Sequence, residues 1–184
     1  MRFADKVAVV TGAGAGIGQA VAKAFAAEGA SVIIVDVNEQ PAKETQRHIE
    51  DEGGKAQVVI ADVSSNADAR RIASEAVKAF GGIDYLVSSA GIQTYGTVVD
   101  TDEDTWDRTI DINLKGIYLV SKYCIPEMIK RDGGAIVNVA SVQGLASQKA
   151  VVAYSASKGG VIAMTRTMAL DHASDNIRVN SICP

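Results

Sequence analysis

Six short runs of apolar, mostly β-branched residues recur along the chain, and between them apolar positions return every three or four residues. The runs predict strands at Lys6 to Thr11, Ser31 to Asp36, Gln57 to Asp62, Asp84 to Ser88, Ala135 to Ala140 and Ile177 to Ile182. The stretches of helical period predict helices near Ile17 to Glu28, Glu39 to Glu52, Asn66 to Phe80, Thr105 to Arg131 and Tyr154 to Ala173. Strands that are apolar on both faces and alternate with helices predict an α/β fold, a doubly wound parallel sheet between two helical layers. In such sheets ligands bind beyond the carboxyl ends of the strands, so the residues just after each strand carry the candidate chemistry.

The first strand runs into Thr11-Gly-Ala-Gly-Ala-Gly-Ile-Gly18, which opens directly into an amphipathic helix. Gly12, Gly16 and Gly18 let the backbone turn tightly and approach a pyrophosphate. The amides at the helix start, Ile17 among them, then hold its charge together with the helix dipole. The second strand ends at Asp36. A carboxylate there accepts hydrogen bonds from adenosine ribose hydroxyls and repels a 2'-phosphate, and neighbouring Val37 and Asn38 bring no cation to bind one. The expected cofactor is therefore NAD, the alternative role for Asp36 being an acidic helix cap.

The third strand ends at Asp62-Val63, with Asp62 at the edge where an adenine is within reach, and Asn66 is the expected cap of the next helix. Ser88-Ser-Ala90-Gly91 follows the fourth, with residues small enough for a flat ring to lie against the backbone. Asn113, three positions before Gly116, is poor helix material and predicts a local distortion. Trp106 reads as a packing residue. Ser141 follows the fifth strand, where its hydroxyl can hold a substrate oxygen.

Tyr154-Ser-Ala-Ser-Lys158 comes next, with a phenol and an ammonium one helical turn apart on the same face. At ~5 Å and an effective dielectric of ~20 an ammonium stabilises a phenolate by ~3 kcal/mol, which suits the tyrosine to proton transfer. Taken alone, such a pair also describes a solvated surface. Gln93, Thr94, Gln143 and Gln148 lie in loops where a polar substrate would sit.

Composition narrows the partners. With 184 residues, 47% hydrophobic and 22% charged, the chain is long enough for one domain, residues 1–184, and unlike a disordered segment. A net charge of -4 without basic runs disfavours nucleic acid and anionic membrane surfaces. The apolar run after the start is too short for an export signal, so a cytoplasmic location is expected. Cys124 and Cys183 lack metal-ligand spacing and read as reduced, buried small hydrophobes, and the two histidines do not cluster, so no metal is expected.

From Lys6 to Pro184 the chain resembles the short-chain dehydrogenase/reductase family. Thr11-Gly-x-x-x-Gly-x-Gly18, Asp62-Val63, Asn113, Ser141 and Tyr154-x-x-x-Lys158 fall in that family's order. The resemblance implies a Rossmann-type fold, a nicotinamide cofactor and an Asn113, Ser141, Tyr154, Lys158 tetrad. In it Tyr154 is general acid/base, Ser141 orients the substrate oxygen, Lys158 stabilises the phenolate and bonds the nicotinamide ribose, and Asn113 helps hold a relay water. It implies a small alcohol or carbonyl substrate, and a homo-oligomer, dimer or tetramer, built on the helices Thr105 to Arg131 and Tyr154 to Ala173. Two departures stand out. Ser88-Ser89 replaces the frequent Asn-Asn pair, and the sequence ends at Pro184, before the substrate lid of similar proteins. That ending raises the alternative of a catalytically silent dinucleotide-binding module.

Overall fold

A computed structural model describes residues 1–184. The strands β1 (Val7–Thr11), β2 (Ser31–Asp36), β3 (Lys55–Ile60), β4 (Tyr85–Ser88), β5 (Gly134–Val139) and β6 (Ile177–Ile182) form one sheet in the order β3-β2-β1-β4-β5-β6. Every neighbouring pair is parallel. The chain winds outward from β1 to β3, then crosses back to place β4 on the other side of β1. The strand order therefore reverses between β1 and β4, and the crevice at their carboxyl ends is where such sheets take ligands.

Helices α1 (Gly16–Ala27) and α2 (Glu39–Asp51) cover one face of the sheet. Val10, Val32 and Ile34 pack there against Ala22, Ala26 and Ile49. Helices α3 (Asn66–Phe80), α4 (Glu103–Ile110), α5 (Gly116–Ile129) and α6 (Val152–Asp171) cover the other. Val9, Ile33, Leu86 and Ile136 meet Ile72, Val120, Cys124 and Met128 on that side. Alternate residues of β1 and β2 thus feed opposite cores, which is why these strands read as unbroken apolar runs. The arrangement is the expected doubly wound, three-layer Rossmann-type fold. No helix is long and apolar enough to cross a membrane.

Four local expectations need correction. The third strand begins and ends two residues earlier than its apolar run suggests, because its parallel register is set by β2, where Asp36 pairs with Ile60. Asp62 then peels the chain away, its Oδ1 accepting from the Ser64 backbone N–H (2.9 Å) and hydroxyl (2.7 Å). Ser65, not Asn66, caps α3, its hydroxyl accepting from the Asp68 N–H, while Asn66 accepts a hydrogen bond from the Tyr123 phenol. Trp106 lies half-exposed on α4, outside the core, and Cys183 is only partly buried. Cys124 is fully buried, which pushes its thiol up to about 12 and leaves it a packing group.

The distortion expected at Asn113 is present. Residues Asp111–Lys115 form a π turn joining α4 to α5, in which the Gly116 N–H donates to the Asp111 carbonyl five residues back. The two helices and this turn make up the one long helix that the periodicity predicts.

Candidate active site

The carboxyl ends of the strands open into a cavity of about 880 Å³. One end is formed by Gly12, Gly16, Ile17 and Asp36, with Asp62 and Val63 beside them; Ala90 and Gly91 form the middle; Ser141, Tyr154 and Lys158 line the other end. Residues spread over nearly the whole chain meet here because every strand of a parallel sheet delivers its carboxyl end to the same edge.

The glycine-loop end is shaped for phosphate. Gly12 has a positive φ of 63°, and a Cβ there would lie 2.8 Å from the Ala90 backbone, so this turn closes only without a side chain. Gly16, also at positive φ, has open space where its Cβ would be. Helix α1 starts at that point with no side-chain cap and no acidic residue in its first turn. Its leading amides therefore face the cavity free of side-chain partners, with the positive end of the helix dipole behind them. Gly18 lies behind the lining, where a side chain would collide with the Gly12 carbonyl oxygen. The cradle fits a dinucleotide pyrophosphate, and the Asp36 carboxylate stands where β2 ends, fit to accept from ribose hydroxyls.

The replacement of the frequent Asn-Asn pair by Ser88-Ser89 does not loosen the fourth strand. The Thr11 hydroxyl oxygen accepts from the backbone N–H groups of both Ser89 (3.1 Å) and Ala90 (3.2 Å), a brace that uses neither serine side chain. Ser88 pays for this with a buried hydroxyl that has no partner.

At the other end α6 presents both members of the Tyr154/Lys158 pair. Ala153, Ser157, Val161 and Thr165, spaced one turn apart, form the buried stripe that docks the helix, and Lys158 beside them is itself 5% exposed. Its Nζ donates to the carbonyl of Val139 (2.7 Å) at the end of β5 and lies 5.6 Å from the centre of the Tyr154 ring. Burial lowers the lysine from the ordinary 10.5 to about 8, because the charged form loses its hydration. Ser141, 8% exposed, accepts from the Gln143 N–H (3.3 Å) and so caps the short turn Val142–Gly144.

Asn113 stands behind the cavity rather than in its wall. Fully buried, it accepts from the Ile92 N–H (2.8 Å) and donates to the Ile92 carbonyl (2.8 Å) and to the Ser157 hydroxyl (3.1 Å). Ser157 in turn donates to the Tyr154 carbonyl (2.7 Å). The π turn thus ties the segment after β4 to the helical turn that carries the tyrosine. Ser157 and Thr11 are the residues that sequence reasoning passed over. Both sit inside quoted motifs, yet only the contacts show what their hydroxyls hold.

Of the four polar loop residues expected near a substrate, Gln93 alone lines the cavity. Thr94 spends its hydroxyl on Thr109 (2.9 Å), Gln148 is exposed, and the Gln143 Oε1 is buried without a partner.

A sequence profile of the short chain dehydrogenase family matches residues 6–184. An uncharacterized oxidoreductase of Thermotoga maritima is 43% identical over all of this chain and 72% of its own length. Meso-2,3-butanediol dehydrogenase of Serratia marcescens is 39% identical over the same shares. The crystal structure of a short chain dehydrogenase from Mycobacterium smegmatis superposes with a TM-score of 0.95 at 34% identity, covering all of this chain and 78% of that one. The chain belongs to the short-chain dehydrogenase/reductase family of oxidoreductases.

Proposed function

We propose that the cavity is the active site of an NAD-dependent oxidoreductase that interconverts a secondary alcohol and the corresponding ketone, with Tyr154 as its general acid/base. The observation that carries this reading is the placement of Tyr154 and Lys158 on one helix face. They line the same cavity as the glycine loop and Asp36. A nicotinamide dinucleotide bound there supplies the two-electron acceptor or donor for the substrate carbon.

The protein's part is to bind, orient and move a proton. The amides at the start of α1 hold the pyrophosphate, Asp36 accepts from the adenosine ribose, and Asp62 and Val63 border the adenine. The Ser141 hydroxyl bonds the substrate oxygen beside the Tyr154 Oη, which takes the hydroxyl proton in oxidation and returns it in reduction. Lys158 supplies the ammonium that stabilises the phenolate and reaches the nicotinamide ribose. Asn113, with all its amide hydrogens engaged, holds Ile92 and, through Ser157, the Tyr154 turn.

Asp36 favours NAD because a 2'-phosphate would sit against its carboxylate. The Serratia relative's diol and the cavity-lining amide of Gln93 point to a small polyol or hydroxy acid as substrate. Trp106, Tyr118 and Ile129, partly exposed along α4 and α5, are apolar positions that a homo-oligomer would cover. The test is kcat/KM with NAD and with NADP over a panel of secondary alcohols that begins with vicinal diols. Turnover with a preference for NAD is expected. A preference for NADP would sink the role given to Asp36, and cofactor binding without turnover of any alcohol would leave a binding module.

A further inference from the structure

Behind the Asp36 end of the cavity a line of hydrogen bonds leads away from the ligand space into α2. The Gly14 N–H donates to Asp36 Oδ2 (2.9 Å), and the Gly14 carbonyl accepts from the Gln19 side-chain amide (3.2 Å). That amide also donates to the hydroxyl of Thr45 (2.9 Å), which donates to the Pro41 carbonyl (3.1 Å). Thr45 is fully buried. The other carboxylate oxygen, Oδ1, accepts from the backbone N–H (2.9 Å) and side-chain amide (3.3 Å) of Asn38.

Steric closure reinforces the line. A Cβ on Gly14 would stand 2.8 Å from Asp36 Oδ2 and 3.0 Å from the Pro41 Cβ. Residue 14 is therefore sealed between the carboxylate and α2, with one peptide hydrogen bond on either side. Two consequences follow for a ligand at this end. The carboxylate is held in one orientation, with Oδ2, which accepts only from Gly14, keeping a lone pair for a ribose hydroxyl. A side chain at position 14 would also have to displace the Asp36 carboxylate from this position.

We infer that Gln19 and Thr45 are positioning residues that set the discrimination between dinucleotides with and without a 2'-phosphate, by fixing Gly14 against Asp36. The inference rests on the reading of Asp36 as the ribose ligand. With the clamp broken, Gly14 drifts from the carboxylate and Asp36 rotates more freely. NADH then loses a well-placed acceptor at Oδ2, while the repulsion against NADPH relaxes.

The experiment is fluorescence titration of the full chain with NADH and with NADPH, for the parent, Gln19→Leu, Thr45→Val and Thr45→Ser, with a melting curve for each. The parent should bind NADH more tightly. Gln19→Leu and Thr45→Val should each weaken NADH about five-fold, one hydrogen bond's worth, and leave NADPH nearly unchanged, so that the ratio narrows. Thr45→Ser, which keeps the hydroxyl, should restore the parent ratio. Variants that melt lower yet keep the full parent ratio would overturn the inference, since the clamp would then be structural only. A parent that binds NADPH as tightly as NADH overturns the Asp36 reading itself, an outcome visible before any variant is made.

Discussion

The two edges of the sheet are built from the same six strands and behave as opposites. At the amino edge Asp84, its side chain 5% exposed, receives Lys6 (3.1 Å), Arg131 (3.0 Å) and the Val7 N–H (2.9 Å). Beside it Phe3, Phe25 and Tyr85 form a ring cluster with centroids 4.9 to 5.5 Å apart. At the carboxyl edge the first amides of α1 face open space, the Ser88 hydroxyl has no partner, and a lysine is kept buried with its ammonium weakened by lost hydration. Polar groups are satisfied where the strands begin, and some are left without partners where they end. A parallel sheet makes that division possible, because all its strands begin on one side and finish on the other.

The largest effect should come from the open edge. Tyr154→Phe is expected to lower turnover by about 10²- to 10⁴-fold while NADH affinity and melting temperature stay near parent values. Turnover at the parent rate would remove Tyr154 from the chemistry and erase the functional half of the contrast. Next comes the closed edge, where Asp84→Asn should cost about 2–3 kcal/mol in denaturant unfolding with kcat unchanged at temperatures where the chain stays folded. A loss of kcat without loss of stability would show that the two edges are not separable.

The same aspartate sharpens the contrast through pH. Burial alone would raise its carboxyl, but the hydrogen bonds from Arg131, Val7 and Lys6 outweigh it and hold the group below its ordinary 3.8. Its stabilisation is therefore complete above the ordinary value and lost as pH falls through the depressed one, so Asp84→Asn should flatten the acid limb of the stability curve. Lys158 titrates in the opposite sense. Its ammonium predominates below about 8 and disappears as pH rises through that value. NADH affinity should fall by about ten-fold across this range, the worth of a hydrogen bond to a charged group, and Lys158→Met should show a flat profile.

The smallest effect belongs to Ser88. Its hydroxyl faces a seam too narrow for water, so Ser88→Ala should stabilise the chain by about 0.5–1 kcal/mol in chemical denaturation. A destabilised variant would mean that the hydroxyl has a partner after all, and that this edge is less open than its contacts indicate.

Much of the layout was legible from residues alone. The limits of β2 and β6 and of α3 coincide with the periodicity, because apolar alternation and helical period respond to burial that local sequence already encodes. The glycine loop and the Tyr154/Lys158 pair were legible for a similar reason, since their geometry is contained within a few consecutive residues. Asn113 was legible only as a distortion, its partners Ile92 and Ser157 lying 21 and 44 residues away.

By itself, then, the sequence determined the element order, the glycine loop, the carboxylate at the end of β2 and the face shared by Tyr154 and Lys158, all properties of short segments. Tertiary structure alone decided the end of β3, the brace on Thr11, the line from Asp36 through Gln19 to Thr45, and which of the polar loop residues reaches the cavity. Each depends on a hydrogen bond or a packing limit between segments distant in sequence. Such contacts are settled only when the sheet register and the helix positions have been fixed together.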